Sequence, residues 1–196
     1  MHGHAGRMPV APGVSPVVSQ FRSVPPGDPS DARLRWRHGN GTDDGVRRIE
    51  AEALVRAAPQ RVWDLYADVH RSAAWVPFVE EVLWVEGEPG VGQRYRERTR
   101  LLGTTDEAEW QIVEWDPPRR QVQRSDEKGM RSHLAIEVET SADGARVRQI
   151  VTLQSRLPRP IAWYHEALFA VVGGHGIRSA VRAAKRHLES ELDRRA

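Results

Sequence analysis

Between Val91 and Arg124, apolar and polar side chains alternate in two runs joined by a glycine-containing turn. The first run reads VGQRYRERTRLLG and the second TTDEAEWQIVEWDPPRRQVQR, broken by a Pro-Pro corner. Successive strand residues point to opposite faces of a sheet. Arg94, Arg96, Arg98 and Arg100 therefore share one face, and Tyr95, Glu97 and Thr99 the other. A row of arginines belongs on the side that water reaches, so the tyrosine, carboxylate and hydroxyl fall on the covered side. A covered face of that composition predicts a cavity lining in place of a dry core. The assignment depends on register, because a slip of one residue would exchange the faces and turn the arginines inward.

The flanking patterns supply the other elements. Arg48–Arg56 (RIEAEALVR) alternates as a short strand. Pro59 suits the first turn of a helix, and Val62, Leu65 and Tyr66 keep helical spacing after it. A second short helix is expected over Val69–Phe78, ending at Pro77. Two more strands are expected near 131–139 and 145–154, joined by the turn Ser141-Ala-Asp-Gly144. From Ile161 to Leu192 the period becomes helical. Tyr164, Leu168, Val171/Val172 and His175 are three or four apart, and Ile177, Val181, Ala184 and Leu188 continue an apolar stripe. Between the two stripes lies Gly173-Gly174-His175-Gly176. Each helical glycine costs about 1 kcal/mol relative to alanine, so the cluster implies a kink or a close approach of ligand or sheet to the backbone.

This order of elements resembles the START-like superfamily known as SRPBCC, and within it the polyketide cyclase/dehydrase and lipid-transport branch. The residues that carry the resemblance are Val55–Trp63 (VRAAPQRVW), Trp75-Val-Pro77, Gly92–Arg98 (GQRYRER), Trp110–Pro118 (WQIVEWDPP) and Gly144–Val147 (GARV). The resemblance covers residues 46–192. It implies an α+β helix-grip fold, with a curved antiparallel sheet wrapped around a long C-terminal helix and two short helices after the first strand. It also implies a ligand cavity between sheet and helix. The family spans lipid carriers, hormone receptors and polyketide aromatase/cyclases, so the resemblance specifies a fold without specifying an activity.

Composition narrows the remaining choices. The first 45 residues contain seven Gly and six Pro with few large apolar side chains. Such a segment buries too little surface to offset its ordering entropy, and it is expected to be a disordered tail before a domain at 46–192 and a short tail at 193–196. The chain has no cysteine, which excludes disulfides and thiolate metal sites. No apolar run reaches the roughly 18–20 residues of a membrane span, and no signal-peptide core follows the N-terminus, so a soluble cytoplasmic protein without integral membrane association is expected. The formal charge is only +2, with acidic residues interspersed among the basic ones. Nucleic-acid binders cluster their positive charge; the arginine row at 94–100 is the sole patch of that kind, and no nucleic-acid partner is expected.

The site residues predicted to bind ligand are Tyr95, Glu97, Thr99, Trp110, Gln149, Tyr164, Leu168, Val172 and His175. Trp110 shares a face with Ala108 and Ile112, and Gln149 with Val147, Val151 and Leu153. An inward amide in an apolar stripe needs a partner. Should the protein be an enzyme, Glu97, His175, Tyr95 and Arg124 are the residues able to move protons or hold a carbonyl. Arg124 counts only if it follows Val122 inward. His133 is read as outward-facing. No metal-ligand spacing, nucleophile elbow, phosphate loop or dinucleotide fingerprint occurs, so no metal and no cofactor are expected. Two function classes remain. One is a binding protein for a hydrophobic small molecule, lipid-like or aromatic. The other is a polyketide aromatase/cyclase-type enzyme guiding cyclisation and dehydration. The largely apolar inward set favours binding, while ligand identity and oligomeric state are left open.

Overall fold

The computed structural model describes residues 46–101 and 103–194; the expected disordered tail at 1–45 lies outside them. Seven strands form one antiparallel sheet: β1 (Val46–Val55), β2 (Val79–Glu86), β3 (Arg94–Leu101), β4 (Thr104–Asp116), β5 (Arg120–Glu127), β6 (Met130–Ser141) and β7 (Gly144–Ser155). Their spatial order is β1-β7-β6-β5-β4-β3-β2, so consecutive hairpins run from β2 to β7 and β1 closes the far edge beside β7. After β1 come α1 (Pro59–Ala67), a single 3₁₀ turn at Val69–Arg71 and α2 (Ser72–Trp75). The chain ends in α3 (Arg159–Leu168), a π turn (Phe169–Gly173) and α4 (Gly174–Asp193). This is the α+β helix-grip arrangement.

Pro59 stands at the start of α1, where its missing N–H is no loss, and Val62, Trp63, Leu65 and Tyr66 form the buried side of that helix. β2 is not among the strands that the sequence pattern predicts. Its VEEVLWVE alternates poorly, and register shifts between Val79 and Glu81 and between Val82 and Trp84 interrupt the two-residue period. Among the described residues no helix is long and apolar enough to cross a membrane.

The dry core sits at one end of the concave face. Ile49, Ala51, Ala53 and Val55 of β1 and Val147 of β7 meet Ile177, Val181, Ala184 and Leu188 of α4, with Ile136 and Val138 of β6 alongside. The small residues of β1 let α4 approach closely. At the other end, β3 and β4 curve away from the helix and the space between is left hollow.

The convex face carries the arginine row. Arg98 bridges Glu81 and Glu107, Arg96 bridges Glu107 and Glu127, Arg94 meets Glu86 and Glu109, and Arg100 meets Glu80. Each arginine of the row is thus paired with at least one acid from another strand of the sheet.

Candidate functional site

The hollow end encloses a cavity of about 460 Å³ between the sheet and the C-terminal helical segment. This volume is within the range of small-molecule sites. β3 contributes Tyr95, Glu97, Thr99 and Leu101; β4 contributes Thr104, Asp106, Ala108 and Trp110. The pairing explains the grouping: Tyr95 lies opposite Trp110, Glu97 opposite Ala108 and Thr99 opposite Asp106. Gln123, Leu134, Ile136, Gln149 and Val151 continue the floor across β5, β6 and β7. The roof is Tyr66, Trp75 and Phe78 from the short helices and their exit, and Phe169, Val172, Gly173, Gly176 and Ile177 from the C-terminal segment. Thr104 and Asp106 are exposed, so the cavity reaches the surface beside the β3–β4 turn.

A few polar groups stand out against this apolar lining. The buried Tyr95 hydroxyl donates to Gln123 Oε1 at 2.6 Å. Burial pushes the Tyr95 phenol well above its ordinary range, and the neighbouring Glu97 charge adds to the shift. Glu97 itself is raised to about 7, mainly by burial. The Trp110 indole pulls weakly the other way, although its N–H lies buried without closing a hydrogen bond of good geometry. The same holds at the roof. The Tyr66 hydroxyl and the Trp75 indole N–H are buried without a hydrogen-bond partner, and Gln149 is near enough to Tyr66 to oppose in part the upward shift that burial gives its phenol. Tyr66 and Trp75 meet edge to face, with centroids 4.9 Å apart. Gln121 fixes α1 to the sheet by donating to the Tyr66 carbonyl at 3.1 Å.

Residues 46–193 match the sequence family described as polyketide cyclase / dehydrase and lipid transport. The chain belongs to that branch of the SRPBCC superfamily. Solved structures share the fold of this SRPBCC chain at low identity. The di-domain aromatase/cyclase StfQ of the steffimycin biosynthetic pathway is 16% identical with a TM-score of 0.65; the alignment covers 76% of this chain and 52% of that one. The chain thus spans about half the length of the di-domain protein. TTHA0849 from Thermus thermophilus is 20% identical over 74% of this chain and 98% of that one, with a TM-score of 0.63. The Zhui aromatase/cyclase from Streptomyces sp. R1128 is 20% identical over 75% and 96%, also at 0.63. No curated protein matches the chain.

Within this SRPBCC cavity the structure gathers Tyr95, Glu97, Thr99, Trp110, Gln149 and Val172. The other expected positions fall differently. His175 is exposed and does not line the cavity. The π turn at Phe169–Gly173 is the reason. It spends one residue more per turn than an α-helix, so the stripe that includes Val172 does not continue to His175. The buried side of α4 instead runs through Gly174, Gly176, Ile177 and Ala180. Tyr164 is 61% exposed and also lies off the cavity. The side chain of Leu168 is outside the described set. Arg124 is exposed and reaches Gln111 on the convex side. Val122 misleads there: it belongs to a small buried cluster with Ala135 and Ile150 on the convex face, while Gln121, Gln123 and Ser125 are the buried alternate positions of β5. An apolar residue marks the wrong side of this strand.

Sequence reasoning missed Gln123 and the aromatic roof of Tyr66, Trp75, Phe78 and Phe169. The phase of β5 was available from its neighbours, since Gln123 pairs with Leu134, an inward residue. The Trp75-Val-Pro77-Phe78 run carried a signal too, because two large rings flanking a helix-ending proline have to be buried against something.

Proposed function

We propose that this protein binds a hydrophobic small molecule, aromatic or lipid-like, in the cavity between the sheet and the C-terminal helix. The observation that carries this reading is a mostly apolar cavity of about 460 Å³ walled by the rings of Tyr66, Trp75, Phe78, Tyr95, Trp110 and Phe169. A wall of that composition suits an apolar or aromatic body. The aromatase/cyclases StfQ and Zhui share this fold, which supports the reading by analogy alone.

One observation favours a second reading, a cyclase- or dehydratase-type enzyme. Glu97 is held at about 7, where a carboxyl exchanges protons readily, and it faces the same space as Tyr95. Of the four residues with catalytic potential, only these two share the cavity. His175 and Arg124 are elsewhere, and no arginine or histidine among the described residues lines the space to polarise a carbonyl. Binding is therefore the stronger reading. Titration of purified protein with Nile red, a neutral apolar dye, followed by native mass spectrometry of protein taken directly from cells, tests it. Saturable one-to-one dye binding and a co-purifying small molecule are expected. Absence of dye binding by a folded protein would refute the reading.

A further inference from the structure

Every acid on the convex side of β3 and its neighbours sits beside an arginine, yet Glu97, on the same strand, has no basic neighbour among the described residues. Its pairing partners are Ala108 and Val82, so nothing in the packing of the strand demands a carboxylate there. A carboxylate drawn out of water without a counter-charge is disfavoured. A side chain that merely filled the position would be apolar. The other titratable groups facing the cavity are Tyr66 from α1, Tyr95 from β3 and Asp106 from β4; the lining residues of α2, α4, β5, β6 and β7 bring none. Asp106 already has Lys128 as its partner outside. The space therefore holds negative potential without positive relief.

The walls around it suit one ligand chemistry. Six rings, Tyr66, Trp75, Phe78, Tyr95, Trp110 and Phe169, line a single cavity with Glu97. Ring faces are electron-rich and attract a desolvated cation, the more so beside a carboxylate. An anionic ligand would meet Glu97 with no cation to offset it. Resting on the cavity-binding reading above, we propose that the cavity selects an apolar molecule bearing a cationic nitrogen, with the Glu97 carboxylate as its counter-charge and the aromatic rings as its walls.

The test uses the full chain and three ligands of one skeleton, displacing Nile red at about pH 8, where the carboxyl is mostly ionised. They are naphthylmethyl-trimethylammonium, its neutral isostere with carbon in place of nitrogen, and naphthylacetate. The ammonium is expected to bind at least about tenfold more tightly than the isostere, with naphthylacetate weakest. Glu97→Gln should bring the ammonium to the level of the isostere. Glu97→Asp, which keeps the charge, should retain part of the preference, and circular dichroism reports that each variant is folded. An ammonium no tighter than its isostere, a preference that survives Glu97→Gln, or naphthylacetate as the tightest ligand would each overturn the proposal. If Nile red binds and charge makes no difference, this proposal alone fails. If Nile red does not bind, the cavity-binding reading fails with it.

Discussion

The two faces of β3 are one residue apart and obey opposite rules. On the convex side, Arg94, Arg96, Arg98 and Arg100 each meet at least one glutamate, and every charge there has water and a partner. On the concave side, Glu97 is half-buried with no basic partner among the described residues, and Tyr95 is sealed against Gln123. The convex charges keep the strand wet and in register. The concave ones are few, and each is expensive to bury. Charge that is paired and exposed tells little about function, whereas a cavity carboxylate without a basic partner is the place to test for it.

The largest expected effect separates the two kinds of glutamate. Glu97 is raised to about 7 in the folded protein, so the fold favours its protonated form. Its contribution is intact at acid pH, and stability falls as pH rises from the ordinary carboxylate range through about 7. Glu97→Gln should therefore stabilise the protein by about 1–3 kcal/mol at pH 8 and by little below pH 4, read from denaturant melts; water entering the cavity sets the lower end of that range. A gain that is the same at both pH values would remove the burial explanation.

Next in size is a change of cavity shape. A Cβ on Gly176 would meet Phe78 Cε1 at 3.5 Å and the Leu101 methyl carbons at 3.7 and 3.8 Å, which are ordinary contacts. Gly176→Leu should fill the hollow, weaken Nile red binding more than tenfold, or about 1.4 kcal/mol, and leave the melting midpoint nearly unchanged. Lost stability with unaltered dye binding would mean that the glycine serves packing. Tyr95→Phe comes third. It strands the buried Gln123 carbonyl and should cost about 1 kcal/mol of stability, detectable in the same melts. The smallest effect belongs to the convex face. Glu107 is held below the usual carboxylate range by Arg98 and Arg96, so its contribution is present at neutral pH and lost on acidification. Glu107→Gln should destabilise slightly near neutrality, the opposite sign to Glu97→Gln, and added salt should erase the difference.

Strand alternation made most of this legible. The arginines on one side of β3 forced Tyr95, Glu97 and Thr99 to the other, and hairpin pairing carried the same phase to Trp110 and, through β6 and β7, to Gln149. The reading failed where the local period is not the structural one. On β5 the apolar Val122 belongs to the convex face, and the inward positions are glutamines. On β2 the register shifts hide the strand. At the C-terminal helix, a spacing of three or four residues extrapolated straight through a turn of different pitch, and His175 was placed on the wrong side. The aromatic roof was hidden for another reason: short helices contribute single side chains to a cavity, with too little length to show a period.

The π turn also bears on how such a cavity can change over generations. An α-helix advances about 100° per residue, so gain or loss of one residue at this turn re-aims everything before it relative to α4 while the strands stay untouched. A single codon deleted between Phe169 and Gly173 would present a different set of side chains to the same hollow. Indels at the turn thus offer a route to re-lining the hollow without altering the strands that floor it.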